Sequence, residues 1–397
     1  VAIEELRYYS FMGALSVTRK FRIGTFFSSS SSFPQADGNL SAGFRAGISG
    51  MECEVLVYPA EVGAKRLGTT ISRAYLADRL DMAVVNAGYT VLPQLMRNLE
   101  MYRKPVFFIG SGADVVREAE LHPLVFRHTM LYWQCAYEAG LQTARKHGGR
   151  VLLVTAMLDC CYDSHAAFLS GVREGGAEEF FHVCDAPDYE FHKELLTAAI
   201  ERIQPTSLAV YASGSMAVRI LEALATIPGV TEVPVIFGPM LHEEPLLSCL
   251  GQAAAGMSYF SWPGAGGLPS TPESEEFLRH WSEVSQAEPD CFAVAGYEAA
   301  LFVRGAVEKC EEKVPEPAAL CSALEGMVVT GPRGKIVMDE RLHVSGGAVC
   351  VREFAANGVA MVPDSRIVSV ALSEADPRCV AVSEGHLNRW TSDYWQS

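Results

Sequence analysis

Short, nearly continuous apolar runs alternate with amphipathic stretches along most of this chain, and that alternation restricts the fold more than any other feature. Phe21–Phe27, Glu54–Tyr58, Met82–Asn86, Val106–Ile109, Val151–Thr155, Glu179–Val183, Leu208–Ala212 and Val233–Phe237 are rich in Val, Ile and Phe. Runs of this length with little polar interruption are what strands covered on both faces require. Between them lie Lys65–Arg79, Tyr132–Lys146, Ser164–Glu174, Phe191–Ile203 and Met216–Ala225, which read as helices. Strand–helix alternation predicts parallel sheets, right-handed crossovers and helices on both faces. In such sheets the functional loops follow the strands. Ser28–Ser32, the one low-complexity segment, directly follows the first run. No internal repeat is visible in the sequence.

Composition narrows the class. A chain of 397 residues has room for two lobes of roughly 150–200 residues. It is 49% hydrophobic and 20% charged, so it predicts packed cores and not disorder. The net charge of −15, with no basic stripe, argues against nucleic acid and anionic membrane surfaces as partners. No apolar run approaches the ~18–20 residues of a spanning helix. Glu4 and Glu5 stand where a signal peptide would carry positive charge. The expectation is therefore a periplasmic protein whose export signal precedes this numbering, or else a cytoplasmic one. The 11 cysteines are odd in number, scattered and free of CxxC, so most are read as small buried hydrophobes. Cys310 and Cys321, which flank Pro315 and Pro317, form the one candidate disulfide.

Enzyme motifs are weak. Ile109-Gly110-Ser111-Gly112-Ala113-Asp114-Val115 follows a strand and begins GxG, but Val115 stands where a dinucleotide fingerprint needs a small residue. Asp159-Cys160-Cys161-Tyr162-Asp163-Ser164-His165 gathers thiols, carboxylates and an imidazole at a strand end. It lacks the ligand spacing of a zinc site and matches no local Cys-His motif. Asp163 or Ser164 as a helix N-cap accounts for half of it without chemistry. GxSxG, HExxH and the P-loop are all missing from the sequence. The expectation is a binder with no cofactor, no metal and no catalytic residue.

Two further segments carry a resemblance. Residues 291–308 form a nearly all-apolar helix containing Gly296-Tyr297-Glu298-Ala299-Ala300, and Gly331-Pro332-Arg333-Gly334-Lys335-Ile336-Val337-Met338-Asp339 is a Gly/Pro turn that runs into a strand. In this order the pair resembles the GYxAA helix and GPxGxxxFD turn-strand that close type I periplasmic solute-binding proteins of ABC-type uptake systems, the Leu/Ile/Val-binding branch. Met338 stands where that family usually has Phe. The resemblance covers about residues 21–355 and implies two Rossmann-like lobes with parallel sheets, joined by a three-strand hinge. Phe21–Gly24 resembles the opening strand, Leu40–Gly47 the first helix and Arg127-His128-Thr129 the first crossing between lobes. By that analogy lobe one is 21–127 with 262–330, lobe two is 128–261 with 331–355, and 1–20 and 356–397 are extensions. Chain crossings are expected near 127, 262 and 331. Glu298, with Phe302 one turn along on the same face, is expected outside the ligand shell, facing out or making a local polar contact.

The resemblance further implies a ligand held between the lobes and passed to a membrane transporter. The candidate ligand contacts are Ser28, Ser29, Tyr89, Thr90, Ser111, Gly112, Trp133, Leu158, Tyr162, Ser213, Met216, Met240 and Leu241. Amino-acid-binding relatives hold the ligand carboxylate with hydroxyls and backbone N–H groups in the loops that here contain Thr90 and Ser111. They hold the ammonium with an acidic residue shortly after a Gly-Pro pair. Here Met240 and Leu241 follow Gly238-Pro239, with His242, Glu243 and Glu244 just beyond. Burying an ammonium without an acceptor is costly. An apolar ligand with one polar end, such as a sterol, hopanoid or other lipid, is therefore expected. The alternatives are a branched-chain amino acid or an amide, bound by a transporter component or a cytoplasmic ligand-sensing regulator.

Overall fold

The structure is a computed structural model. It describes residues 19–369 apart from 31–32, 61–62, 89–90, 117–120, 158, 161, 186–189, 239–257, 262–267, 311 and 356–357. Strands β1 (Phe21–Phe27), β2 (Cys53–Pro59), β3 (Met82–Asn86), β4 (Val106–Gly110) and β5 (Val125–Thr129) form a parallel sheet in the order β2-β1-β3-β4-β5. Helices α1 (Ala36–Gly47), α2 (Ala64–Ala77) and α3 (Leu92–Leu99) connect its strands. Alternate side chains leave opposite faces, as the pleat requires. Ile23, Val84, Phe107 and Phe126 enter one apolar cluster, while Phe26, Val85, Phe108 and Val125 enter another. Both faces are covered, which is why these runs lack polar alternation.

The chain then builds the same topology again. Helix α4 (Tyr132–His147) leads to β6 (Arg150–Thr155), α5 (Asp163–Glu174), β7 (Glu178–Val183), α6 (Lys193–Ile203), β8 (Ser207–Tyr211), α7 (Gly214–Leu224), β9 (Val235–Phe237) and β10 (Ser258–Ser261). The order β7-β6-β8-β9-β10 repeats that of the first sheet, all parallel. The repeat lies in the topology, and sequence identity does not reveal it. Strand β13 (Ser345–Ala355) adds antiparallel to β10, β14 (Gly358–Ser369) pairs with β13, and the hairpin of β11 (Val328–Gly331) and β12 (Gly334–Met338) completes the sheet.

Helices α8 (Pro272–Val284), α9 (Cys291–Lys309) and α10 (Pro317–Leu324) precede that hairpin. Helix α9 is buried nearly all round and packs on α1, in the first sheet's helical layer. Its N-terminus is capped by Asp290, whose carboxylate accepts the Ala293 N–H at 2.9 Å. The α1–α9 contact runs backbone to backbone. A Cβ on Gly43 would land on the Ala293 carbonyl oxygen, and one on Gly296 on that of Leu40. Helices α4 and α5 meet the same way in the other lobe, with Gly171 against the Tyr137 carbonyl and Gly140 against that of Phe168.

Two expectations need correction. Arg127-His128-Thr129 does more than cross between lobes: it ends β5, a strand that its charged residues concealed, with Arg127 and His128 fully buried. Cys310 and Cys321 are not joined. Both are free thiols, Cys321 held in the core by the apolar face of α10, and burial pushes its thiol up to about 11.

Candidate functional site

In each lobe the strand order reverses beside the first strand, between β1 and β3 in one sheet and between β6 and β8 in the other. A parallel α/β sheet opens a crevice at that switch point, above the C-terminal strand ends. In the first sheet the Ser28 N–H donates to the Asn86 carbonyl at 3.0 Å, and the Asn86 Nδ2 donates to the Ile109 carbonyl at 2.9 Å. These bonds knit the ends of β1, β3 and β4 into one floor. Asn86 is completely buried, and its Oδ1 has no hydrogen-bond partner among the described residues. It was missing from the sequence candidates, although an asparagine closing an apolar run is the signal that could have marked it.

The loop after β4 reaches the other lobe. The N–H groups of Tyr132 and Trp133, at the start of α4, donate to the carbonyls of Ser111 and Gly112 at 3.2 and 2.9 Å. Gly112 has φ +71°, and a Cβ there would press on Thr129, so a glycine is needed for this approach. Further along, the Ser164 N–H donates to the Ala113 carbonyl at 2.8 Å, and the Val115 N–H donates to the Asp163 carboxylate at 2.9 Å. Asp114 returns the contact by accepting the Asp163 N–H at 3.3 Å. Neither Asp163 nor Ser164 is the N-cap of α5; Tyr162 is, and the Asp163 carboxylate serves a neighbouring loop instead.

The acidic side chains at this edge are engaged by main-chain amides. The Ser213 N–H donates to Asp159 at 3.0 Å and the Met157 N–H to Asp185 at 2.6 Å. Asp159, Asp163 and Asp185 are all buried. His165, below them, shares a 2.9 Å contact with the Thr155 hydroxyl, and burial lowers its pKa to about 4. The cluster 159–165 is thus structural at its described positions. No group of three or more His, Cys, Asp or Glu residues suited to a metal ion occurs among the described residues.

The remaining sequence candidates divide. Ser28 is buried, Ser29 exposed, Ser111, Gly112 and Ser213 are half-buried just past strand ends, and Met216 is half-buried in the first turn of α7. The Ser111 Oγ accepts the Ala113 N–H at 3.3 Å and so shapes its own loop. Tyr162 packs into the same apolar cluster as Phe33 and Phe292, which belong to the other lobe's core. Trp133 is 5% exposed and sits in the core beneath α4 and α5, with Leu131, Val151 and Phe168. Tyr89, Thr90, Leu158, Met240 and Leu241 lie outside the described residues. A depression of about 410 Å³ lined by Arg19, Lys20, Glu52 and Lys313 lies at the opposite, N-terminal ends of the strands, away from these loops.

Known proteins agree with this geometry. Residues 35–358 match the family described as periplasmic binding protein. No curated protein matches the chain in sequence. Among solved structures, an ABC transporter substrate-binding protein from Sphaerobacter thermophilus is similar, with a TM-score of 0.77 at 20% identity, covering 88% of this chain and 98% of that one. A solute-binding protein of an ABC transporter from R. palustris, in complex with benzoate, has a TM-score of 0.72 at 16% identity, covering 90% and 98%. A leucine-binding protein from Thermotoga maritima has 0.66 at 13%, covering 88% and 98%. At these identities the likeness is one of fold. None of the three is described with a lipid or sterol.

Proposed function

Because the chain belongs to the periplasmic binding protein family, we propose that it captures a small aromatic carboxylic acid between its lobes and delivers it to an ABC-type membrane transporter. Solute binding for transport, without catalysis, is the family's activity. The chemical class and the periplasmic location are our own reading.

One observation carries the ligand class. The described crevice edge offers hydroxyls at Ser28, Ser29, Ser111 and Ser213, while Asp159, Asp163 and Asp185 are buried against main-chain amides and present no exposed carboxylate to an ammonium. Such an edge suits a ligand with an apolar body and one anionic, hydrogen-bond-accepting end better than a zwitterion, whose ammonium needs its own acceptor. Benzoate and p-hydroxybenzoic acid in R. palustris neighbours are of that kind. The lipid or sterol expected from the loop inventory shares the one-polar-end chemistry, but the similar structures lend it no support. The lobe limits used here, 21–127 with 262–330 and 128–261 with 331–355, and the thirteen candidate contacts are part of the same proposal. A second reading, a branched-chain amino acid, draws on the leucine-binding neighbour and on Glu243 and Glu244 after Gly238-Pro239.

Titration calorimetry with benzoate, 4-hydroxybenzoate, leucine and a soluble sterol decides. We expect micromolar binding of at least one aromatic acid and at least a hundredfold weaker leucine binding, a gap of about 2.7 kcal/mol. Tight leucine binding without response to the aromatic acids would establish the second reading. Sterol binding alone would restore the lipid.

A further inference from the structure

The two variable positions of the closing motifs meet in space. Glu298, the x of GYxAA, and Arg333, the x of GPxGxxxFD, are 0% and 1% exposed at their side chains, and the Arg333 Nε donates to the Glu298 Oε2 at 2.8 Å. Glu298 belongs to α9, in the helical layer of the first sheet, whereas Arg333 is in the turn of a hairpin attached to the second. The same carboxylate oxygen lies 3.3 Å from the Nε2 of His128, near the end of β5. The His128 Nδ1 is 2.9 Å from the Oγ of Ser345, the first residue of β13, and that Oγ also accepts the Thr129 N–H at 3.1 Å. The Ser345 hydroxyl keeps both its hydrogen and a second lone pair for Nδ1, so either ring tautomer fits this contact. Burial holds His128 below its ordinary pKa, against the opposing pull of Glu298. The cluster is then one anion, one cation and one neutral ring.

The Glu298–Arg333 and His128–Ser345 contacts join the first sheet or its helices to the second, and the Glu298–His128 contact links those two on the first sheet's side. Beside them the Arg127 N–H donates to the His343 carbonyl at 2.7 Å and Arg127 bridges Val344, so β5 and the start of β13 run edge to edge. Gly331 is required here, because a Cβ would press on the Glu298 side chain at 2.8 Å. The Ser274 hydroxyl holds the Pro332 carbonyl at 2.9 Å and ties the hairpin back to α8.

We propose that Glu298, Arg333, His128 and Ser345 form a lobe-positioning lock that sets the angle between the two sheets. A buried ion pair contributes little net stability, because desolvation offsets most of its attraction. What it does impose is geometry. Directional bonds in a buried junction lose their strength when the partners slide by about an ångström. The two sheets therefore cannot rotate about the β5–β13 seam while all of these contacts persist. Closure on a ligand must proceed with them intact, or by exchanging them for a second set.

Small-angle X-ray scattering on the ligand-free protein tests the lock without reference to any ligand, so it can fail independently of the aromatic-acid reading. Glu298→Gln and Ser345→Ala are compared with wild type, and Val210→Ala, a core truncation remote from the junction, controls for general destabilisation. We expect both junction variants to have a larger radius of gyration and a broader pair-distance distribution, while Val210→Ala lowers the melting temperature and leaves the profile unchanged. Should Glu298→Gln fail to fold, Ser345→Ala decides alone, since it removes a single oxygen. Folded junction variants that scatter as wild type would overturn the proposal, as would an equal change in Val210→Ala.

Discussion

His165 illustrates how a buried imidazole can serve packing and still tie stability to pH. It sits 2.9 Å from the Thr155 hydroxyl, edge-on to Tyr211 and Phe181, and burial lowers its pKa to about 4. A histidine whose folded pKa lies below its unfolded value of about 6.5 binds fewer protons folded than unfolded, so folding opposes its protonation. Stability from this site is complete above pH ~6.5 and falls as the pH drops toward 4, by on the order of 3 kcal/mol. His128, also lowered by burial, adds in the same direction. Denaturant melts between pH 7 and 4.5 should lose stability steadily, and His165→Gln should flatten part of that slope. An unchanged slope would mean that the imidazole is not what titrates. From sequence, the thiols and carboxylates around His165 already read as structural, for want of metal spacing or a Cys-His motif. The structure adds what the carboxylates do: Asp159, Asp163 and Asp185 accept the Ser213, Val115 and Met157 amides.

At the scale of elements, α1 and α9 show where small residues decide packing. Gly38 and Gly43 lie in the same helix, but a Cβ on Gly38 would meet nothing within 4 Å, while one on Gly43 would strike the Ala293 carbonyl. Gly38→Ala should stabilise by about 0.5–1 kcal/mol through helix propensity. Gly43→Ala should destabilise by about 3 kcal/mol, since two backbones must separate. Urea unfolding of both variants checks the pair, and equal effects would refute the observed helix approach. The sequence outlined most of these elements: β1 and β3 match their apolar runs residue for residue, and α4, α5 and α9 come within a residue or two. Strand β5 escaped because Val-Phe-Arg-His-Thr carries two charged or titratable side chains. The junction that buries them is made from residues about 200 positions later, such as His343 and Ser345.

The molecule as a whole is two copies of one topology stitched at a seam. Tyr162 enters the other lobe's apolar cluster, the loop after β4 docks on α4 and α5, and Glu298, Arg333, His128 and Ser345 cross the junction. Such shared burial couples the lobes, so they should unfold together. Trp281 lies in one core and Trp133 in the other. Variants retaining only one of these two as fluorescence reporter should give coincident denaturation midpoints, and midpoints separated by more than the fitting error would show independent lobes. An aromatic acid at a hundredfold excess over its dissociation constant should raise stability by about 2.7 kcal/mol, and both midpoints together.

By itself the sequence determined the α/β class, most strands of the two parallel sheets and the closing motifs of the family, because helix and strand periods and turn chemistry are local properties of neighbouring residues. Tertiary structure alone decided that the second lobe repeats the first, that the acidic side chains at the crevice cap backbone amides, and that Glu298 is a buried ion-pair partner and not an outward-facing side chain. Those outcomes depend on which distant groups share a buried volume. A carboxylate's role there is set by the donor that reaches it, and that donor can come from anywhere along the chain.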